Sequence, residues 1–203
     1  MSAPLLRLFY FSGKEKKMKK EELLNSLCRT PVIAAVRENL FAEALRSPAE
    51  VIFALKANLN TVAARTKEAH AAGKVLFVHL DLCDGIGKDK TGAEYLSGIG
   101  VDGIISTRSQ LIRSARECGL FAVQRFFAVD SQGLFSITET LGSSNPDLME
   151  IMPGVVTKAI ARFAPGAVPV IAGGLLETKK EVTAALEAGA LAVSTGKPEL
   201  WSL

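Results

Sequence analysis

Short apolar runs alternate with amphipathic stretches along nearly the whole chain. Pro31–Arg37 (PVIAAVR) is an almost unbroken apolar run of strand length. That is the pattern of a strand covered on both faces, whereas a half-wet strand alternates apolar with polar residues. Val51–Leu55, Lys74–Asp81, Asp102–Arg108, Leu120–Phe127, Asp147–Met152, Pro169–Ala172 and Leu191–Ser194 repeat the signal. Between them, helical spacing of apolar residues predicts helices over Glu38–Leu45, Thr61–Ala72, Gln110–Cys118, Gln132–Leu141, Val155–Phe163 and Thr178–Ala188, with a shorter one starting at Ala93–Ser97. Glu21–Cys28 predicts a helix ahead of the first strand, and Pro198–Trp201 leaves room for a stub after the last. Thr61 and Thr178 stand at N-cap positions, and Gly73, Gly119 and Gly189 close helices.

Eight strand-then-helix units joined by short connections imply a parallel sheet, and eight suffice to close it. The expected fold is therefore an α/β TIM (β/α)8 barrel with short loops and a truncated last helix. An open doubly wound sheet would carry a G-x-G-x-x-G turn after its first strand, and Arg37-Glu38-Asn39 has none.

Length and composition narrow this picture. At 203 residues and 48% hydrophobic, the chain builds one domain, on the short side for such a barrel. Residues 21–203 form that domain. Residues 1–20 read as an N-terminal extension, disordered or a mis-called start. The apolar run Leu5–Phe11 precedes its lysine cluster, the reverse of a secretory signal. A net charge of +3 permits an anionic partner without demanding one. Cys28, Cys83 and Cys118 are far apart and include no C-x-x-C, which indicates neither a disulfide framework nor a cysteine zinc site and fits a cytoplasmic protein. No apolar run approaches a membrane span.

Candidate chemistry gathers at the carboxyl ends of the strands, where barrels of this kind place their ligands. The last two strands break into small residues, Gly173-Gly174 and Ser194-Thr195-Gly196. Loops after the seventh and eighth strands commonly cradle phosphate through main-chain N–H groups, helped by a following helix N-terminus. Gly173, Gly174, Ser194, Thr195 and Gly196 are therefore the expected phosphate-binding residues. Around the same rim, Arg37, Lys56, His79, Asp81, Arg108, Arg125 and Glu150 are the expected ligand-binding residues, with Thr107, Gln124, Glu177 and Lys197 nearby. Guanidinium forks suit a phosphorylated ligand. Any one of these side chains could equally point into the barrel core or pair with a neighbouring carboxylate.

Catalysis finds less support. His79, Asp81 and Asp84 could together hold a divalent ion with ligand oxygens, but a hydrogen-bonded barrel histidine accounts for His79 as well. His70, on a helix, is expected to face solvent. There is no G-x-S-x-G and no cysteine–histidine pairing, and Glu150 stands on the sixth strand where a Schiff-base enzyme would want lysine. No catalytic residue, metal or cofactor is expected.

From Pro31 to Trp201 the chain resembles the glycerol-3-phosphate-responsive antiterminator family, regulators of bacterial glycerol-uptake operons. The resemblance rests on VHLDL followed by Gly85-Ile86, on GIISTRS (Gly103–Ser109), QRFFAVDS (Gln124–Ser131) and PDLMEIMPG (Pro146–Gly154). It continues through PVIAGGL (Pro169–Leu175) and EAGALAVSTGKPELW (Glu187–Trp201). It implies a non-enzymatic TIM-barrel sensor that binds glycerol 3-phosphate and then the 5′ leader mRNA of glycerol-metabolism genes, preventing premature termination. No recognisable RNA-binding module accompanies this implied partner. Lys56 stands near the second strand end, where an acidic or polar residue is common in the family, and the N-terminal extension is unusual. The alternative reading is an aldolase, epimerase or phosphodiesterase acting on a small phosphorylated sugar or polyol.

Overall fold

The computed structural model describes residues 18–203. The expected extension therefore lies outside the described residues apart from Met18, Lys19 and Lys20, and Lys20 already opens the first helix. The strands are β1 (Val32–Val36), β2 (Val51–Ala54), β3 (Val75–His79), β4 (Gly103–Ser106), β5 (Phe121–Phe127), β6 (Leu148–Met152), β7 (Val170–Gly173) and β8 (Ala192–Thr195). Each pairs in parallel with the next and β8 returns to β1, closing a TIM barrel. The helices are α1 (Lys20–Arg29) ahead of β1, then α2 (Phe41–Arg46), α3 (Val62–Ala71), α4 (Lys90–Gly98), α5 (Ser109–Glu117), α6 (Ser131–Ser144), α7 (Thr157–Phe163) and α8 (Lys179–Glu187). A 3-10 turn, Pro198–Leu200, follows β8.

Several boundaries move for identifiable reasons. Glu38–Leu40 is a 3-10 turn leading into α2, not part of one longer helix. The α4 helix starts earlier than the apolar spacing suggests because Asp89 caps it, accepting from Gly92 N at 3.0 Å. Asp130 does the same for α6 through Gly133 N. Thr61 precedes α3 but makes no capping bond. Asn58 Oδ1 instead accepts from the backbone N–H groups of Asn60 and Thr61. His70 is not solvent-facing: its Nε2 lies 2.9 Å from Asp102 Oδ2, tying α3 to the start of β4.

The period-2 alternation of the strands sorts the core into two layers. Outward residues such as Val32, Ile52, Val78, Ile104, Met149 and Val193 pack under the helices. Inward residues Ile33, Phe53, Phe77, Ile105, Val123, Leu148 and Ile171 fill the barrel. Phe77 sits opposite Gly103 in register, and a Cβ on Gly103 would strike its ring, so the glycine makes room for a large neighbour. The amino-terminal end is closed by α1, whose Leu23 and Leu27 pack on Val51, Val75 and Leu148. Glu50 fastens that plug by accepting from Ser26 Oγ at 2.5 Å and pairing with Arg29 at 2.8 Å. The serine hydrogen bond, with Arg29, holds the Glu50 carboxyl below its ordinary range.

At the other end, Trp201 is fully buried and its indole Nε1 donates to Thr195 O at 2.9 Å. This bond fixes the end of β8 against the segment that follows it. Trp201→Ala should cost about 3–5 kcal/mol by cavity formation, and Trp201→Phe about 1–3 kcal/mol through the orphaned carbonyl, both read from urea unfolding followed by circular dichroism.

Candidate functional site

The inward positions of the barrel change character from bottom to top. Below lies an aromatic layer built on Phe53 and Phe77. Above it, register places Arg125 beside Glu150, and Gly173 beside Ser194. Arg125 Nε donates to Glu150 Oε2 at 2.6 Å, and Ser194 Oγ donates to Glu150 Oε1 at 2.6 Å. Glu150 is completely buried and Arg125 nearly so. A buried carboxylate is tolerable only when paired and hydrogen-bonded, and here each oxygen has its own donor. The terminal amino groups of Arg125 make no hydrogen bond among the described residues, so the guanidinium retains donors for a ligand.

These side chains form the base of a cavity of about 260 Å³, with Ala35, Leu55 and Met152 as its apolar wall and Gly174–Glu177 and Thr195–Lys197 as its rim. Gly173 itself is not in the lining. It is the last residue of β7, paired with Ser194, where the sequence pattern ends the strand at Ala172. A Cβ there would collide with Glu150 Oε1 and approach Ser194 Oγ to 2.8 Å. Gly173 thus makes space for the carboxylate rather than approaching a ligand.

The loop after β7 supplies the open donors. Gly154 N donates to Gly173 O at 2.6 Å and to Gly174 O at 3.0 Å. Because a trans peptide plane sets its N–H opposite its C=O, the amides of Gly174 and Leu175 point away from Gly154. Gly174 (φ 76) and Leu175 (φ 59) are both left-handed. Leu175 is one of two described non-glycine residues with positive φ, a conformation that costs of order 1–3 kcal/mol and clusters at ligand sites. No residue pattern advertises that leucine.

The α8 N-terminus is not available as sequence alone suggests. Thr178 and Glu181 form a capping box, and Glu181 Oε2 accepts from the backbone N–H groups of both Glu177 and Thr178 at 2.9 Å. The hydroxyl of Thr195 is spent as well, donating to Leu176 O at 2.7 Å and joining β8 to the β7–α8 loop. Across the rim Lys197 Nζ lies 3.5 Å from Glu177 Oε1.

Of the expected ligand-binding residues, the fold brings Arg125 and Glu150 together with Gly174, Ser194, Thr195 and Gly196. Arg37, Lys56, His79, Asp81 and Arg108 do not line this cavity. Arg37 is exposed at the end of β1. Lys56 is exposed and lies 3.8 Å from Asp84. Asp81 accepts from Ser106 Oγ and Thr107 N at 3.0 and 2.8 Å, with Arg108 at 3.6 Å, forming a separate brace between β3 and β4. Among the described residues no three of His, Cys, Asp and Glu converge on a common metal position.

His79 is buried inside the barrel and its Nδ1 has no hydrogen-bond partner. Burial, then the nearby Arg125 charge, pushes its pKa below the ordinary imidazole value. Cys83, whose buried thiol donates to His79 O, has that thiol pushed up to about 11 by desolvation.

Residues 32–201 match the family pattern described as glycerol-3-phosphate responsive antiterminator. The chain belongs to that family. A solved glycerol uptake operon antiterminator regulatory protein from Listeria monocytogenes is 32% identical and superposes with a TM-score of 0.79, covering 84% of this chain and 94% of that one. A glycerol uptake operon antiterminator-related protein from Thermotoga maritima is 30% identical with a TM-score of 0.75, covering 85% and 98%. The Escherichia coli K12 protein YgcP, itself uncharacterised, is 35% identical over 184 residues, 89% of this chain and 96% of its own. More distant barrels, aldolases among them, are 10 to 14% identical and share the fold alone. Family membership makes this a regulatory barrel, and among the described residues no helix is long and apolar enough to cross a membrane.

Two outcomes test the geometry of this antiterminator-family barrel. Gly173→Ala should displace Glu150 and lower stability by about 1–3 kcal/mol, the usual cost of overpacking, as measured by denaturant unfolding. For His79, the unfolded imidazole takes up a proton near pH 6.5 while the folded one resists it, so stability falls as pH drops below that value. His79→Leu should flatten the decline between pH 7 and pH 5.5 by at most about 1.4 kcal/mol per pH unit, seen in melting temperatures across that range.

Proposed function

We propose that this chain is a non-enzymatic sensor that takes glycerol 3-phosphate into the cavity between β7 and β8 and acts on the leader mRNA of glycerol-metabolism genes. The observation that carries the reading is Arg125: a buried guanidinium at the base of a small cavity, held through one nitrogen by Glu150, with its other donors uncommitted. A volume of about 260 Å³ lies at the small end for ligand sites and suits a metabolite of a few heavy atoms. The phosphate would lie against the Gly174 and Leu175 amides, the Gly196 segment and Lys197, with Arg125 supplying charge from below. Glu150 acts as the residue that orients Arg125, and the Met152, Leu55 and Ala35 wall faces the carbon chain.

The enzymatic alternative lacks a matching constellation in this cavity. Its lining lysine, Lys197, is half exposed and paired with Glu177, and Glu150 is fully engaged. The RNA partner is supported by family membership. Any such contact would run through lysine and arginine to phosphate and weaken steeply with salt.

Titration calorimetry with sn-glycerol 3-phosphate and with glycerol separates these readings. The phosphate ester should bind and glycerol should not. Arg125→Ala should lower affinity at least about tenfold, the scale of one charge-assisted hydrogen bond, while Arg125→Lys should recover only part of it. Equal binding of the two ligands would sink the phosphate assignment. A leader-RNA mobility shift that ignores the effector would sink the coupling to RNA.

A further inference from the structure

Six of the nine large apolar side chains exposed among the described residues stand on three consecutive loops: Phe127, Val129 and Phe135 around β5–α6, Val155 and Val156 after β6, and Leu175 after β7. The loops are joined into one platform. Ala128 N donates to Met152 O at 2.7 Å, and Gly154 N donates to Gly173 O and Gly174 O. Exposures of 55% for Phe127, 81% for Val129, 60% for Phe135 and 67% for Leu175 leave most of each side chain in water. Together the six expose on the order of 500 Å², the upper end of what a monomer carries as its largest apolar patch. That is more than half of the roughly 800 Å² that each partner buries in a standard interface.

Charge selects the occupant. From Phe126 to Thr157 the chain has no lysine or arginine, although 24 of its 203 residues are basic. A nucleic acid therefore finds nothing there to neutralise its phosphates. The exposed surface of α6 offers Gln132, Phe135, Ser136, Thr138 and Ser143, with Glu139 as its one charge. Depletion of charge around aromatic residues marks the buried centre of a protein interface. The flanks differ in the charges they leave unpaired, since Glu177 pairs with Lys197 and Glu181 is held in the α8 capping box. Asp130 and Glu139 lie on the α6 side, and Lys158, Lys179 and Lys180 lie at the starts of α7 and α8; none of the five forms an ion pair among the described residues.

We infer that this platform is the contact between two copies of the chain, related by a two-fold axis running between α6 and α8. Such an axis turns one copy's acidic flank onto the other's lysine flank and stacks the two apolar centres. Leu175 belongs both to this platform and to the cavity rim, so the second copy would stand beside the ligand mouth.

Sedimentation equilibrium of the full chain tests this. The wild type should sediment as twice its 21.6 kDa mass in the micromolar range. Val129→Lys combined with Phe135→Asp should weaken the dimer by at least about tenfold with an unchanged far-UV spectrum, since both side chains are exposed. Lys179→Glu with Lys180→Glu should weaken it too, and adding Glu139→Lys should restore it. A monomeric wild type overturns the inference, as does a dimer indifferent to both sets of variants. A monomer that loses leader-RNA binding on Phe135→Asp assigns the face to RNA and overturns it equally.

Discussion

The buried contact among Arg125, Glu150 and Ser194 is the constraint around which the carboxyl-terminal half of the barrel is arranged. A carboxylate with no solvent contact must be neutralised and hydrogen-bonded, and removing one partner from such a pair typically costs about 3–5 kcal/mol. The barrel meets that demand by register. Parallel pairing sets Arg125 beside Glu150, and two strands on, Ser194 reaches Glu150 across a residue with no side chain. Gly173 is therefore as much a part of the contact as the three polar residues. The arrangement also leaves the far side of the guanidinium uncommitted at the base of a cavity.

The loops above inherit their conformation from the same strands. Gly154 takes the carbonyls at the end of β7, which turns the following amides away from it. Thr195, by bonding Leu176 O, sets the height of the β7–α8 loop over β8, and Trp201 holds Thr195 from behind. A chain of side-chain to main-chain bonds thus runs from the last buried aromatic to the rim. Lys197 and Glu177 complete the rim as an exposed pair, where water and salt leave little net energy and the lysine can exchange partners easily.

Economy of length shapes the other end. The α1 helix lies before the first strand and closes the barrel floor with Leu23 and Leu27, so a short chain fills its interior without long loops. After β8 the chain makes a 3-10 turn at Pro198–Leu200 and buries Trp201. The rim is correspondingly bare on the β5 to β7 side, where large apolar side chains remain in water.

Eight apolar runs separated by helical spacing were enough to specify a closed parallel barrel, because strands buried on both faces and helices with one wet face have different periods. The glycine-rich ends of the last two strands, together with Arg125 and Glu150, pointed to the end of the barrel where the cavity lies, because parallel strands all end there. What each residue does at that mouth depended on register and neighbours. Gly173 serves Glu150 instead of a ligand, Thr195 bonds a loop carbonyl, Asp81 and Arg108 brace a different pair of strands, and His79 turns inward. The left-handed Leu175 and the capped start of α8 are equally invisible in one dimension, since both follow from hydrogen bonds to residues on other elements or turns. Local sequence determines period, polarity and where a strand stops. The free donors of a site are those left over after every tertiary hydrogen bond has been made, and only the closed barrel makes them.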